Sequence, residues 1–189
     1  LSIRRQRQMC IRDSNVTITV QSNIWKMILN NRTQKMEVRA MIGKKVVHHM
    51  MMSEKDAHYV GGLVNGARIV VQWGDVGTEL MVYADGDISL FLGYEKIEFT
   101  APVYVGDFME YVGWIEEVGN QSYKCKFEAW KVATMLDRTD ADMEGIEHTA
   151  ATACEPPILC ATGTGSLYIA KKDQRGPQEE SFKDLKHRA

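Results

Sequence analysis

One long helical pattern without proline, bounded by glycine at both ends, constrains the fold of this chain more than any other feature. The pattern runs from Leu63 to Tyr83, follows Gly61-Gly62 and ends at Asp85-Gly86-Asp87. Apolar and small residues recur along it at steps of three and four, the spacing of one helix face. Each of its glycines costs about 1 kcal/mol of helix propensity relative to alanine, so we expect the helix to pack closely against another element.

Strand patterns surround this helix. The sequence predicts strands at 45–52, 95–99, 108–118, 123–133 and 157–170, with a hairpin turn at 119–121. Within 123–130, the apolar residues Tyr123, Cys125, Phe127 and Ala129 alternate with charged residues and Trp130, which predicts one buried face. One helix with a mainly antiparallel sheet indicates the α+β class.

The charge of the chain is distributed unevenly. Residues 1–40 hold 8 basic and 2 acidic side chains, whereas the rest holds 15 basic and 23 acidic ones, so a net charge of −2 conceals a basic segment and an acidic body. An acidic body repels a phosphate backbone, and we therefore predict no nucleic-acid partner. Residues 5–14 resemble a translated sequencing adapter, and residues 1–40 are predicted to be a non-native or disordered extension; a basic nucleic-acid arm is the alternative.

The remainder predicts one folded unit in the cytoplasm. We expect a domain at 41–175, with a surface excursion at 137–153, and a charged C-terminal tail at 176–189. No apolar run approaches the roughly 18 residues that span a membrane, which predicts no membrane partner. The four cysteines form no CxxC pair, as is typical of reduced thiols in a cytosolic protein.

Several motifs carry a family resemblance. The segments 99–107 (Phe-x-x-Pro-Val-x-x-Gly-Asp) and 118–122 (Val-Gly-Asn-x-Ser), after a helix that begins at glycine, resemble the hot-dog fold. Five further segments resemble the beta-alanyl-CoA ammonia-lyase family. They are 53–59, 63–68, 73–80, 151–157 and 169–178. The resemblance covers about residues 41–186, with two departures: Gly62 stands where the family is expected to have Asn, and residues 138–149 are expected to form a longer loop.

The resemblance implies a reversible elimination of ammonia from beta-alanyl-CoA to give acryloyl-CoA. It implies an acyl-CoA substrate, no separate cofactor and no metal, because the thioester itself acidifies the neighbouring carbon. It also implies a dimer with active sites at the subunit interface and a hexamer of three dimers. The alternatives are a 3-aminobutyryl-CoA ammonia-lyase with crotonyl-CoA as product, a hot-dog acyl-CoA thioesterase and a non-catalytic CoA-binding or scaffold protein.

Elimination requires a base and a donor to the thioester oxygen. Gly61, Gly62 and Leu63 are predicted to lie at the N-terminus of the helix, where backbone N–H groups could stabilise the developing enolate. Asp75 and Glu79 are four residues apart and so share a helix face. Acidic residues on the corresponding helix of hot-dog enzymes favour Asp75 as the base, with Glu79 second and pairing with Arg68 or a neighbouring subunit.

Further candidates flank the glycines and follow the last strand. His58 and Tyr59 directly precede the glycine turn and are candidate catalytic residues. Lys171, Lys172 and Arg175 form a basic cluster that could bind the phosphates of CoA, with a solvated tail as the alternative. His48 and His49 are adjacent on a strand, so their side chains point to opposite faces and cannot share a metal; both are predicted to be structural or surface residues.

Overall fold

Five antiparallel strands and one long helix are the main elements of the part of the chain that the structure describes, namely residues 26, 28–30, 38–136 and 150–178 of a computed structural model. The first strand and the helix are joined by two short 3₁₀ turns, Glu54–Asp56 and Val60–Gly62. In chain order, the elements are β1 (Lys45–Met51), α1 (Gly66–Asp85), β2 (Leu90–Phe99), β3 (Phe108–Val118), β4 (Ser122–Met135) and β5 (Ala151–Tyr168).

The strands form one sheet in the order β1-β3-β4-β5-β2, and every neighbouring pair is antiparallel. The predicted hairpin joins β3 to β4, with Val118 opposite Tyr123. Tyr123, Cys125, Phe127 and Ala129 are buried on one face of β4, as the alternation predicts. The α+β class is therefore confirmed.

Helix α1 packs its apolar face on the sheet through Ile69, Trp73, Val76 and Leu80, all buried. Glycines of the sheet, which the sequence pattern did not single out, make room for this contact. A Cβ at Gly113 would lie 2.6 Å from Val76, and one at Gly163 would lie 2.7 Å from Trp73. The sheet therefore approaches the helix more closely than any larger residue would allow.

The small residues of α1 behave unequally. A Cβ at Gly66 would lie 2.6 Å from the Phe99 ring, and one at Gly77 would lie 3.2 Å from Leu167, so close packing is confirmed at these two positions. At Gly74 an added Cβ would meet no described atom within 4 Å, so the expectation of close packing was wrong there.

The helix begins three residues later than predicted. Asn65, in an extended conformation, accepts the Ala67 amide at 2.9 Å and so caps the helix, which starts at Gly66. Leu63 is also extended and bridges to Tyr104. At the other end, Gly86 adopts a left-handed conformation (φ 69°) and ends the helix as predicted.

Packing continues on both sides of the predicted domain limits 41–175. Val38 is buried with Met41 in the core, and Gly176 is buried at the end of α1. The predictions for most of 1–40, for 137–149 and for 179–189 lie outside the described residues. No helix among the described residues is long and apolar enough to cross a membrane.

Candidate active site

The connection between β1 and α1 folds into a small hairpin-like turn that carries five of the predicted site residues. Ala57 bridges to Val64, and the amides of His58 and Tyr59 both donate to the Leu63 carbonyl, at 3.1 and 3.2 Å. His58, Tyr59, Gly61, Gly62 and Leu63 are thus brought together. They precede the helix by a short extended segment rather than forming its first turn.

The two glycines of this turn are required by the backbone conformation. Gly61 and Gly62 have φ of 81° and 77°, in the left-handed region that side-chain-bearing residues rarely adopt. Space does not dictate the choice, because a Cβ at Gly61 would meet no described atom within 4 Å. Asn tolerates left-handed backbone better than most residues, so the Asn that the resemblance predicts at position 62 would fit the same conformation.

The tip of the turn projects from the subunit. Val60 is fully exposed (103%), Tyr59 is 52% exposed and His58 is exposed as well. The His58 and Tyr59 rings contact edge to face, with centroids 4.8 Å apart.

A buried carboxylate that sequence reasoning missed ties this turn to the helix. Asp56 accepts the Ser53 amide at 2.9 Å, the Ser53 hydroxyl at 2.7 Å and the Arg68 Nε at 2.8 Å, and it also pairs with Arg68 Nη2. Burial alone would raise the pKa of Asp56, but the hydrogen bonds from Ser53 and Arg68 outweigh it and hold the pKa below its usual 3.8. The predicted pairing of Arg68 with Glu79 was wrong because Arg68 bonds Asp56 instead.

Clefts lie on both sides of the turn. One, with a volume of about 560 Å³, runs between the start of α1 and the end of β2 and is lined by Tyr59, Leu63, Asn65 and Phe99 among others. The other, of about 1220 Å³, extends from Gly61 to β4 and β5. Both exceed the roughly 300 Å³ at the lower end of small-molecule sites.

The Gly-Asp end of the 99–107 motif lies in the larger cleft. Asp107 is buried, pairs with the Lys131 ammonium at 2.7 Å, and accepts the Thr134 hydroxyl at 2.6 Å and the Tyr104 amide at 2.8 Å. These contacts fix the connection between β2 and β3, whose Val105 amide donates to Gly62 at 3.0 Å. The motif therefore holds the glycine turn through the hydrogen bond from Val105 to Gly62.

The two helix carboxylates have different surroundings. Asp75 is exposed, and within the described part of the chain its side chain makes no hydrogen bond or ion pair. Glu79 is half-buried, pairs with His48 Nε2 and accepts the Tyr83 hydroxyl at 2.6 Å. His48, predicted to be structural or on the surface, is thus the partner of a candidate catalytic residue, a contact across 31 residues that no local pattern indicates.

The basic cluster lies at the opposite end of the helix from the glycine turn. Arg175 donates from its backbone to Asp85 and from its guanidinium to the Gly86 carbonyl, both at 3.0 Å. Lys171 and Lys172 are exposed close by. Because α1 has 20 residues, about 30 Å separate this cluster from the turn within one subunit.

Metal ions require a group of ligand side chains around them. Across 38–136 and 150–178, no group of three or more His, Cys, Asp or Glu side chains is arranged to hold a metal ion.

Comparison with known proteins gives the family. The chain is 45% identical over 131 residues to a 3-aminobutyryl-CoA ammonia lyase of Acetoanaerobium sticklandii, covering 69% of this chain and 98% of that protein. It is 77% identical to the beta-alanyl-CoA:ammonia lyase of Clostridium propionicum, whose structure superposes with a TM-score of 0.67 over 76% of this chain and 97% of that chain. The chain belongs to the CoA-ester ammonia-lyase family.

The fold of this ammonia-lyase family member is the hot-dog fold. A hexameric hotdog fold thioesterase of Campylobacter jejuni superposes with a TM-score of 0.53 at 15% identity, over 73% of this chain and 92% of that one. An acyl-CoA hydrolase of Staphylococcus aureus superposes with a TM-score of 0.51 at 11% identity, over 76% and 80%. These likenesses confirm the predicted fold alone. No protein-family model matches the chain.

Proposed function

We propose that this chain catalyses the reversible elimination of ammonia from beta-alanyl-CoA to give acryloyl-CoA. The observation that supports it is the 77% identity to a beta-alanyl-CoA:ammonia lyase across 97% of that chain, against 45% identity to a 3-aminobutyryl-CoA ammonia lyase. Asp75, which is exposed and has no side-chain partner among the described residues, and the glycine turn are proposed to supply the base and the donor that the reaction requires.

Asp75 is the proposed base. It removes a proton from the carbon next to the thioester carbonyl; the electron pair of that C–H bond forms the C=C bond, and the C–N pair leaves with ammonia. Glu79 is the weaker candidate because His48 and Tyr83 already donate to it. We assign Glu79 to holding this helix face, with His48, beside the reacting groups.

The glycine turn is the proposed donor to the thioester oxygen. Val60, in a 3₁₀ turn, precedes left-handed Gly61, and this succession turns backbone N–H groups toward one concave side, a common seat for anionic oxygen. A preorganised donor of this kind contributes roughly 2.7–4 kcal/mol to the transition state. His58 and Tyr59 flank the turn and are proposed to contact the acyl group or its ammonium.

The distance within one subunit supports an active site shared between two. Asp75 lies nine residues after Gly66, about 13 Å along the helix axis, whereas the carbonyl and the adjacent carbon of the substrate are bonded to each other. We propose that Asp75 of one subunit acts with the turn of a second. By the same reasoning, we propose that the cluster of Lys171, Lys172 and Arg175 binds the phosphates of a CoA ester whose thioester lies at another subunit's turn.

Exposed apolar residues support the assembly. Edge strand β2 carries Leu90, Leu92 and Phe99, and Ile88 lies just before it. These four side chains are 55–69% exposed in the isolated subunit. The unpaired backbone N–H and C=O groups of such an edge strand can pair with those of another copy of the chain. We propose a dimer through this edge and a hexamer of three dimers, and light scattering should give a multiple of two subunits; a stable, active monomer would contradict the shared site.

No separate cofactor enters the proposal, since coenzyme A is part of the substrate and its thioester acidifies the reacting carbon. We assign the reaction to the cytoplasm. Among the described residues Cys125, Cys154 and Cys160 are free thiols, in keeping with a reducing compartment.

The second candidate is 3-aminobutyryl-CoA ammonia-lyase, which the 45% identical relative favours. Its substrate carries one more methyl group, and a pocket discriminates one methyl by only about 1–3 kcal/mol.

Product identification tests the proposal. The full chain is incubated with acryloyl-CoA and ammonium, and the product is identified by mass. Beta-alanyl-CoA is expected. Free CoA with acrylate would instead indicate a thioesterase, and an unchanged substrate a non-catalytic CoA-binding or scaffold protein.

A further inference from the structure

The ion pair between Asp56 and Arg68 occupies the junction between the glycine turn and the helix. Asp56 ends the first 3₁₀ turn, one residue before the Ala57–Val64 bridge, and Arg68 lies in the first turn of α1. The Asp56 side chain is only 4% exposed, whereas the Arg68 side chain is 43% exposed. A single buried carboxylate therefore joins the end of β1, through Ser53, to the start of the helix.

The turn has a further anchor to the body of the subunit. Val64 donates to Val103 at 2.9 Å, and Gly62 accepts from Val105 at 3.0 Å, so its second limb is held by the connection between β2 and β3. The bonds from His58 and Tyr59 to Leu63 lie inside the turn. The first limb is thus attached to the helix by the Asp56–Arg68 pair.

Arg68 and Asp75 are seven residues apart on α1, which is about two helical turns, so their side chains leave the same face. The pair therefore couples the turn to the helix face that presents Asp75. In a shared site, the turn of one subunit faces Asp75 of another. The distance between them therefore depends on how each turn is fixed to the helix of its own subunit.

We propose that Asp56 and Arg68 are positioning residues that set the location of the Gly61–Gly62 turn for catalysis; this rests on the proposed function. The Arg68 fork gives Asp56 two donors in a fixed plane, a geometry that a lysine cannot reproduce. Displacement of reacting groups by about 1 Å costs up to roughly 100-fold in rate, so loss of the pair should act mainly on kcat.

The test uses the full chain and four variants: Asp56→Asn, Arg68→Lys, Arg68→Gln and the double variant Asp56→Asn/Arg68→Gln. All are assayed for ammonia release from beta-alanyl-CoA well below their unfolding temperatures. Asp56→Asn and Arg68→Gln should lower kcat by about 10- to 100-fold with KM changed less than about threefold. Arg68→Lys should lose less than Arg68→Gln, and the double variant should be no slower than the slower single variant, because the two residues act as a unit.

Tyr123→Phe is the matched control, since it removes a donor to a buried carboxylate at the far end of the same helix. Its kcat should stay within about twofold of wild type. Reduced thermal stability with normal kcat in Asp56→Asn would assign the pair to stability alone and overturn the proposal.

Amide hydrogen exchange tests the same inference without activity. The His58 and Tyr59 amides should exchange at least about tenfold faster in Asp56→Asn and unchanged in Tyr123→Phe. Unchanged exchange in Asp56→Asn would overturn the positioning role. A wild-type chain that releases no ammonia would refute the proposed function, while the exchange result still decides whether the pair fixes the turn.

Discussion

The two ends of helix α1 are each attached to a neighbouring segment by a buried aspartate, yet they differ in accessibility. At the start, Asp56 anchors a turn whose tip, including Tyr59 and Val60, is exposed. At the end, Asp85 is 1% exposed, bonds the Tyr123 hydroxyl and accepts the Gly176 amide at 2.6 Å. The first end is open to a ligand or another subunit, and the second is covered by the chain itself.

Under the proposed function, this difference places the donor to the thioester oxygen at one end of the helix and stabilising contacts at the other. Residues after β5 cover the last turn, where Arg175 donates to the Gly86 carbonyl and the Gln178 amide donates to Tyr83. A cation at the negative end of a helix dipole is favourable without any ligand. Part of the basic cluster thus has a structural explanation, whereas Asp75 has no side-chain partner among the described residues.

The largest expected effect is on Asp75. Asp75→Asn keeps the shape but removes the proton acceptor, so kcat should fall by about 10²–10⁴ with little change in CoA-ester affinity. Steady-state ammonia release measures it, with Asp87→Asn as a control that keeps the bond to the Ser89 amide. If the variant binds beta-alanyl-CoA more weakly but binds acryloyl-CoA normally, Asp75 binds the substrate ammonium instead of acting as the base. Near-normal turnover would show that Asp75 has no part in the mechanism.

Gly61→Ala should have the next largest effect. The added methyl group meets open space but strains a backbone with φ of 81°, so the turn should shift and its donors should leave the thioester oxygen. Loss of one such donor lowers kcat by about 10²–10³. Gly74→Ala, at a position that is also open but lies within the helix, should leave kcat unchanged. Equal rates for both variants would contradict a catalytic turn.

At the covered end the effect should be on stability. Tyr123→Phe removes a hydrogen bond to a charged carboxylate and should lower the free energy of unfolding by about 1.5–3 kcal/mol. Urea unfolding measures the loss, and kcat at low temperature should be retained. A fall in kcat comparable to that of Asp56→Asn would show that the two ends are not functionally distinct.

The smallest effect is on acid stability. The pKa of Asp56 is lower in the folded chain than its usual 3.8, so the unfolded chain binds the proton first and the stabilisation by Asp56 is complete only above that value. It should be lost as the pH falls from about 4 through the folded pKa. Urea unfolding between pH 6 and 3 should show a steeper decline for wild type than for Asp56→Asn, and parallel curves would contradict the assignment.

The fold was predictable because its elements carry local periodicity. Alternation in β4 and the three- and four-residue steps of α1 identify a buried face without knowledge of the partner element. The start of α1 was misplaced by three residues because Leu63 continues the apolar spacing, although the Asn65 cap makes the helix begin at Gly66.

The candidate site was predictable only in part, because its groups meet across distant sequence. Asp75, His58 and the glycines are predicted site residues, chosen from residue type and family motifs. The pairs Asp56–Arg68 and His48–Glu79 join elements 12 and 31 residues apart, and no spacing rule indicates them. The basic cluster was placed correctly after the last strand, but sequence could not reveal that one helix length separates it from the turn.

A competition experiment tests the central claim most directly. Equal concentrations of beta-alanyl-CoA and 3-aminobutyryl-CoA are mixed with the full chain, and acryloyl-CoA and crotonyl-CoA are quantified by mass at early times, which gives the ratio of kcat/KM. We predict that acryloyl-CoA exceeds crotonyl-CoA by at least about tenfold, the discrimination that one methyl group provides in a fitted pocket. An excess of crotonyl-CoA would contradict the proposed substrate, and free CoA in place of both products would contradict an ammonia-lyase.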